Sequence, residues 1–290
     1  MPTDKQWINK LMLWLNNAEL NVAVLDPVAD RARFGMRYCT GGYIWQVTDH
    51  RLGDLIAGPT YPYDFNWYDG TGLPEAFDTP LGNPDNPADP LLLGIGIGLF
   101  EKPAPCKTHP CPVTNKEFCV WDVRETATTM TFATKQAHLG WSLELTRTIT
   151  LLRRTLRSET RVKNTGRGRI PLRWYPHPFL PLYPGGETCK LNVPVAIPEN
   201  PAFELLPNGF IGQKNLPWEG GYVQVLEIPQ DRPVTFLQKH PKLGLLVATT
   251  NYAPTRLPIF GNRNSFSFEP YFEQALDAGA ETAWSLTFDF

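Results

Sequence analysis

The chain of 290 residues carries 27 Lys and Arg against 29 Asp and Glu, a formal net charge of −2. No general basic field exists to neutralise a phosphate backbone, so nucleic acid is not an expected partner. The longest apolar run, residues 91–100, is broken by three glycines and falls well short of the ~20 residues that a bilayer span needs.

The amino-terminal stretch interrupts its apolar residues with Asp4, Lys5, Asn9 and Lys10 and has no small-residue cleavage pattern. It does not read as a signal peptide, and a soluble cytoplasmic protein is expected. Five cysteines, an odd number, fit free thiols in a reducing compartment.

In chain order, residues 4–16 place Trp7, Ile8, Leu11 and Leu15 at helical spacing and form the one stretch that suggests a helix. Period-2 alternation then predicts strands at 41–49, 119–125, 129–134, 140–151, 153–164, 168–177, 221–228, 233–238, 243–250, 264–270 and 281–290. Twenty-nine prolines and 23 glycines supply the turns between them. Residues 58–118, rich in Pro, Gly, Asp and aromatics, read as an ordered loop system lying over one sheet. The sum is an all-β protein, a large antiparallel β-sandwich with one domain over residues 1–290. No internal period of propeller or solenoid length stands out.

Cys106, His109, Cys111 and Cys119 form a group of potential zinc ligands, but the C-x-x-C pairs of common structural zinc sites are absent. A proline-rich loop with incidental thiols is the better reading, and no metal is expected.

Strand phase separates candidate site residues from core. In 168–177, Ile170, Leu172 and Trp174 point one way, and Arg173, Tyr175 and His177 the other. His177 stands between Pro176 and Pro178, which confine it to extended backbone and aim its ring. In 264–270, Phe266 and Phe268 belong to the core, and Ser265, Ser267 and Glu269 to the opposite face. In 140–151, Arg147 shares a face with Trp141, Leu143, Leu145, Ile149 and Leu151, so it is either paired or part of a site. Glu75 and Phe77 lie in the long loop system, where substrate contact is plausible. Arg31, Arg33, Arg37, Arg153, Arg154, Arg157 and Arg173 lie on faces that mostly look solvent-directed.

Residues 161–179, RVKNTGRGRIPLRWYPHPF, resemble the "N-x-G … H-x-F" passage of the galactose mutarotase-like superfamily, the aldose 1-epimerases and their relatives. Further similar pieces follow in order: GGYIWQV, GLPEAF (72–77), LGIGIGLFEKP (93–103), GWSLELTRTITL, and FSFEPYFEQALDAGAETAWSLTFDF at the carboxyl end. The resemblance implies a supersandwich whose concave sheet binds a monosaccharide or sugar phosphate, with His177 as general acid and Glu269 as general base. It also implies an isomerase without cofactor, a monomer or weak homodimer of carbohydrate metabolism. Arg147, Arg173, Glu75, Phe77, Lys102 and Tyr175 are the candidate substrate contacts. Where typical galactose mutarotases carry a second histidine, this chain has Glu101 and Lys102.

Anomer exchange removes the proton from the C1 hydroxyl while protonating the ring oxygen, so an imidazole and a carboxylate suffice. His177 and Glu269 are expected on opposite sides of a pocket one pyranose wide, with Arg147 or Arg173 and aromatics of residues 61–77 at its rim. Two other readings stay open. One is a carbohydrate-binding or sugar-sensing protein without turnover. The other is a glycoside hydrolase or lyase using Glu269 with Glu75 as paired carboxylates.

Overall fold

The computed structural model describes residues 12–60, 70–83, 85–86, 88–101, 115–215 and 220–290. The first half of these forms β1 (Leu13–Asn16), β2 (Leu20–Val24), a single 3-10 turn (Arg31–Arg33), β3 (Ile44–Asp49), β4 (Gly53–Asp54), β5 (Glu75–Phe77), β6 (Leu91–Gly94), β7 (Gly98–Glu101), β8 (Asn115–Phe118), β9 (Asp122–Glu125), β10 (Thr129–His138), β11 (Trp141–Leu152) and β12 (Thr155–Asn164). The second half forms β13 (Ile170–Pro176), β14 (Leu180–Pro181), β15 (Cys189–Leu191), β16 (Phe203–Leu205), β17 (Ile211–Gln213), β18 (Tyr222–Leu226), β19 (Thr235–His240), β20 (Gly244–Thr250), β21 (Leu257–Gly261), β22 (Ser265–Phe268), β23 (Phe272–Leu276) and β24 (Glu281–Asp289).

The expected helix over 4–16 is overturned where it can be seen. Leu13–Asn16 pairs antiparallel with Asn21–Val24, and Trp7, Ile8 and Leu11 lie outside the described residues. Residues 58–118 are also more regular than expected. They contain β5 and the β6-β7-β8 meander, whose first pairing runs from Leu91–Glu101 to Gly94–Gly98.

One face of the sandwich is an eight-stranded sheet in the order β15-β19-β20-β24-β12-β11-β10-β9. Its alternation is clean. In β11, Leu143, Leu145, Arg147, Ile149 and Leu151 are buried while the Thr and Glu between them are partly exposed, and β-branched threonines suit a pleated, half-wet surface. The other face is assembled from β1-β2-β3-β4, β5-β13-β23 and β14-β22-β21-β18, with the Ile44–Leu73 bridge joining the first group to the second. Between the two layers lies the main core, which runs from Leu15 to Phe288 and includes Phe132, Phe236, Phe266 and Phe268. It is extended by a second cluster around Trp174, Trp284 and Phe77. A third cluster, with Tyr38, Tyr43, Ala76, Tyr175 and Tyr271, sits on the outer side of the second layer.

The centre of that second layer explains the prolines. Ile170–Trp174 pair with Leu276–Phe272, and Leu180 and Pro181 pair with Phe266 and Ser265. Both stretches share one register, so residues 175–179 stand opposite 271–267 and His177 faces Glu269. The amides of His177 and Phe179 donate away from this seam, to the carbonyls of Pro74 and Gly72 at 2.8 Å. Those of Glu269 and Tyr271 donate to the opposite flank, to Pro258 at 2.8 Å and Arg256 at 2.9 Å. Bridging the seam therefore falls to residues 176, 178, 268 and 270. Pro176, Pro178 and Pro270 have no N–H to offer, and Pro176 stands opposite Pro270. The ladder opens because its donors are missing.

Supplying those donors tests the explanation. In a Pro176→Ala, Pro270→Ala double variant, the two new amides are expected to exchange with solvent as slowly as those of Leu172 and Gln274. Fast exchange would show that something other than missing donors holds the seam open.

Candidate functional site

His177 and Glu269 meet at the open seam. Nε2 lies 3.3 Å from Oε1, and the residues are only 3% and 7% exposed. This departs from the pyranose-wide gap expected between them. The shared register makes the two residues direct cross-strand neighbours, the arrangement that brings side chains closest.

Aromatic rings wall the imidazole. Phe179 stacks on it at 4.4 Å, Phe260 meets it edge-on at 5.5 Å, and Tyr175 and Tyr38 lie at 6.3 and 6.4 Å between centroids. Its Nδ1 and the buried Ser267 hydroxyl have no hydrogen-bond partner among the described residues.

Such a dry setting favours the neutral form of both groups. Burial, helped by the positive charge of Arg37, holds the His177 pKa well below its usual value. Burial pushes Glu269 up to about 7 against the opposing pull of Arg37 and Arg256, with Asp78 adding a smaller upward push. At neutral pH the imidazole is uncharged and the carboxyl group lies within its titration range.

Tyr175 and Arg173 share this side of the layer, as their strand phase requires. Tyr175 stacks on Tyr271 at 4.7 Å. Arg173 reaches the rim, 5.2 Å from the Tyr271 ring centroid, and pairs with Glu273 at 3.0 Å and Asp78 at 3.3 Å.

Arg147, Glu75 and Phe77 are turned away. Arg147 Nη2 lies 2.5 Å from Glu75 Oε2 in the interior between the layers, and Phe77 packs edge-on against Trp284 at 6.1 Å. Alternation in β5 is the cause, since Ala76 takes the outer face and leaves Glu75 and Phe77 to the inner one. The paired carboxylates expected for glycoside hydrolysis are therefore not assembled, because Glu75 and Glu269 project to different sides. Trp174, 1% exposed, is core as its phase indicates. Lys102, Cys106, His109 and Cys111 lie outside the described residues. Glu101 pairs with Lys116 at 3.2 Å. Among the described residues no group of His, Cys, Asp and Glu is arranged to hold a metal ion.

Several neighbours were not legible beforehand. Arg37, grouped with solvent-directed arginines, is half-buried, with its guanidinium 4.9 Å from the Tyr38 ring centroid, a hydrogen bond to Tyr175, and its charge acting on His177 and Glu269. Residues 30–43 have no periodicity that would have flagged it. Tyr271 could have been found, because it lies two residues beyond Glu269 and so on the same face.

No protein-family model matches the chain, and no curated protein matches it in sequence. Solved structures do match. A galactose mutarotase related enzyme from Lactobacillus acidophilus superposes with a TM-score of 0.60 at 12% identity, covering 96% of each chain. A galactose mutarotase-like protein from Lactobacillus casei gives 0.55 at 14% identity, covering 96% of this chain and 99% of that one. One from Clostridium acetobutylicum gives 0.54 at 9%, covering 96% and 94%. The chain has the galactose mutarotase-like fold. Among the described residues no helix is long and apolar enough to cross a membrane.

The raised Glu269 pKa has a measurable consequence. A carboxyl group held above its unfolded value of 4.5 contributes stability that is fully present below that value and lost as pH rises through about 7. A rise of that size corresponds to about 3 kcal/mol. In urea titrations from pH 4.5 to 8, Glu269→Gln is expected to gain stability relative to the wild type by up to this amount. A difference that does not change with pH would contradict the electrostatic account.

Proposed function

We propose that His177 and Glu269 interconvert the anomers of a monosaccharide or sugar phosphate. The observation that carries the reading is their 3.3 Å contact inside a dry, aromatic-walled site. The C1 hydroxyl oxygen and the ring oxygen are both bonded to C1, so two neighbouring groups can serve both without straddling the ring. One takes the hydroxyl proton while the other protonates the ring oxygen. The ring then opens, the C1–C2 bond turns, and closure on the other carbonyl face reverses both transfers.

The assignment implied by the fold family, with His177 as acid and Glu269 as base, is the ionised form of the pair. The neutral form differs by one proton moved across the contact and serves the same reaction with the roles exchanged. Burial lowers the His177 pKa and raises that of Glu269, so the neutral form is favoured at rest and sets a proton acceptor beside a proton donor. Arg37 keeps the carboxylate form within reach despite burial, and Arg37, Arg173 and Arg256 around Tyr175 and Tyr271 are the candidate contacts for sugar hydroxyl or phosphate oxygens. The likeness to galactose mutarotase-like structures supports the same reading through the fold.

Exchange spectroscopy on a panel of free and phosphorylated sugars tests it. A substrate is expected to show anomer exchange that falls about 10²–10⁴-fold in His177→Asn and in Glu269→Gln, with a smaller change in binding. Binding without exchange would make the protein a sugar receptor. Exchange that survives both substitutions would remove the pair from the chemistry.

A further inference from the structure

Directly behind the site, on the inner face of the same layer, lies the Arg147–Glu75 ion pair. Ser158 Oγ donates to Glu75 Oε1 at 2.6 Å, and Arg147 donates to Ser158 Oγ at 3.1 Å and Thr160 Oγ1 at 3.3 Å. Arg147 and Glu75 are 1% and 4% exposed. Buried charges of this kind seldom stabilise a fold more than a well-packed apolar pair would, so a geometric role is to be sought.

Everything the pair holds leads to His177. Glu75 sits between Pro74, whose carbonyl accepts the His177 amide at 2.8 Å, and Ala76, which pairs with Tyr175. The Glu75 carbonyl accepts the amide of Cys39 at 2.8 Å, and Arg147 Nη1 donates to the carbonyl of Gly41 at 2.8 Å. Residues 39–41 directly follow Tyr38, whose ring stands edge-on to the imidazole. One charge pair thus ties together the strand beneath His177, the segment that covers its ring, and β11 and β12 of the eight-stranded sheet.

We propose that Arg147 and Glu75 are positioning residues that fix His177 and Tyr38 relative to Glu269 by bracing residues 74–76 and 39–41 against the opposite sheet. The inference rests on His177 and Glu269 being the reacting pair, but it concerns their geometry and can be read without turnover. The pair carries no net charge and neither member is among the charges that shift His177 or Glu269, so its influence is assigned to position.

The test uses protein labelled with ¹⁵N-histidine. The ring-nitrogen shifts of His177 report its tautomer and its hydrogen bond, and are followed against pH in the wild type, Arg147→Lys, Glu75→Gln and Thr160→Val. Leu246→Ala, in the core on β20, serves as a control for simple loss of stability. The Arg147 and Glu75 variants, and to a smaller extent Thr160→Val, are expected to shift the His177 ring signals, the charge-conserving Arg147→Lys included, and on any sugar that the wild type turns over, the Arg147 and Glu75 variants are expected to lower kcat at least tenfold with KM little changed. The control is expected to lower the melting temperature and leave those signals in place.

If Glu75→Gln does not fold, Arg147→Lys and Thr160→Val carry the test. Folded Arg147 and Glu75 variants with unaltered His177 signals, or a control that moves them equally, would overturn the proposal. Absence of exchange in the wild type would instead count against the anomerase reading, and the imidazole signals would still decide this one.

Discussion

A sheet holds together through N–H groups, and three of the four positions that should bridge its central seam are prolines. That deficit organises the rest of the site. The two central segments keep one register above and below the gap, so opposition of side chains is preserved while the backbone bonds are not. The amides of His177, Phe179, Glu269 and Tyr271 are turned to the outer neighbours. The result is a sheet that continues mechanically but opens at one level. His177 and Glu269 occupy that level, brought together by the pairing on either side of it.

Electrostatics follows from this placement. A pair on an open sheet face would be hydrated and charged, whereas here the rings of Phe179, Phe260, Tyr175 and Tyr38 exclude water and push both groups towards neutrality. Arg37 acts unequally on the two. It opposes a charged imidazole and favours a charged carboxylate, so it reinforces the burial of His177 and offsets part of the burial of Glu269. The site and the core also differ in how they treat charge. The outer pair is pushed towards neutrality, while the inner pair of Arg147 and Glu75 is held by an arginine that stays protonated and by the hydroxyls of Ser158 and Thr160.

The fold was legible where period-2 alternation was strong. Residues 141–152, 155–164, 170–176 and 281–289 all became strands, and the phase that set Trp174 apart from Tyr175 and His177 carried straight into the packing. Reading failed where strands were short or uniformly apolar. Leu257–Gly261 has no polar face to reveal its period, and Glu75–Phe77 lay hidden in a proline-rich stretch. Leu13–Asn16 followed its partner Asn21–Val24 rather than the helical spacing of Trp7, Ile8 and Leu11. For the candidate site, strand phase put His177 and Glu269 on polar faces, and the structure brings the two side chains into contact. Glu75 and Phe77 were placed at the substrate because no phase could be set before β5 was known. Arg37 was missed because its position depends on a non-repetitive segment folded over the outer face.

The position of β24 in the large sheet carries a consequence for how the molecule is made. Residues 281–289 lie between β12 and β20, joining the part built from residues 122–164 to the part built from residues 189–250. Until β24 has been made and docked, both β12 and β20 are open edges, each able to pair with another chain. The sheet is therefore complete only once residues 281–289 are in place. Yield in a cell should depend less on the stability of the finished sandwich than on how quickly a strand more than a hundred residues away in sequence from β12 finds its slot.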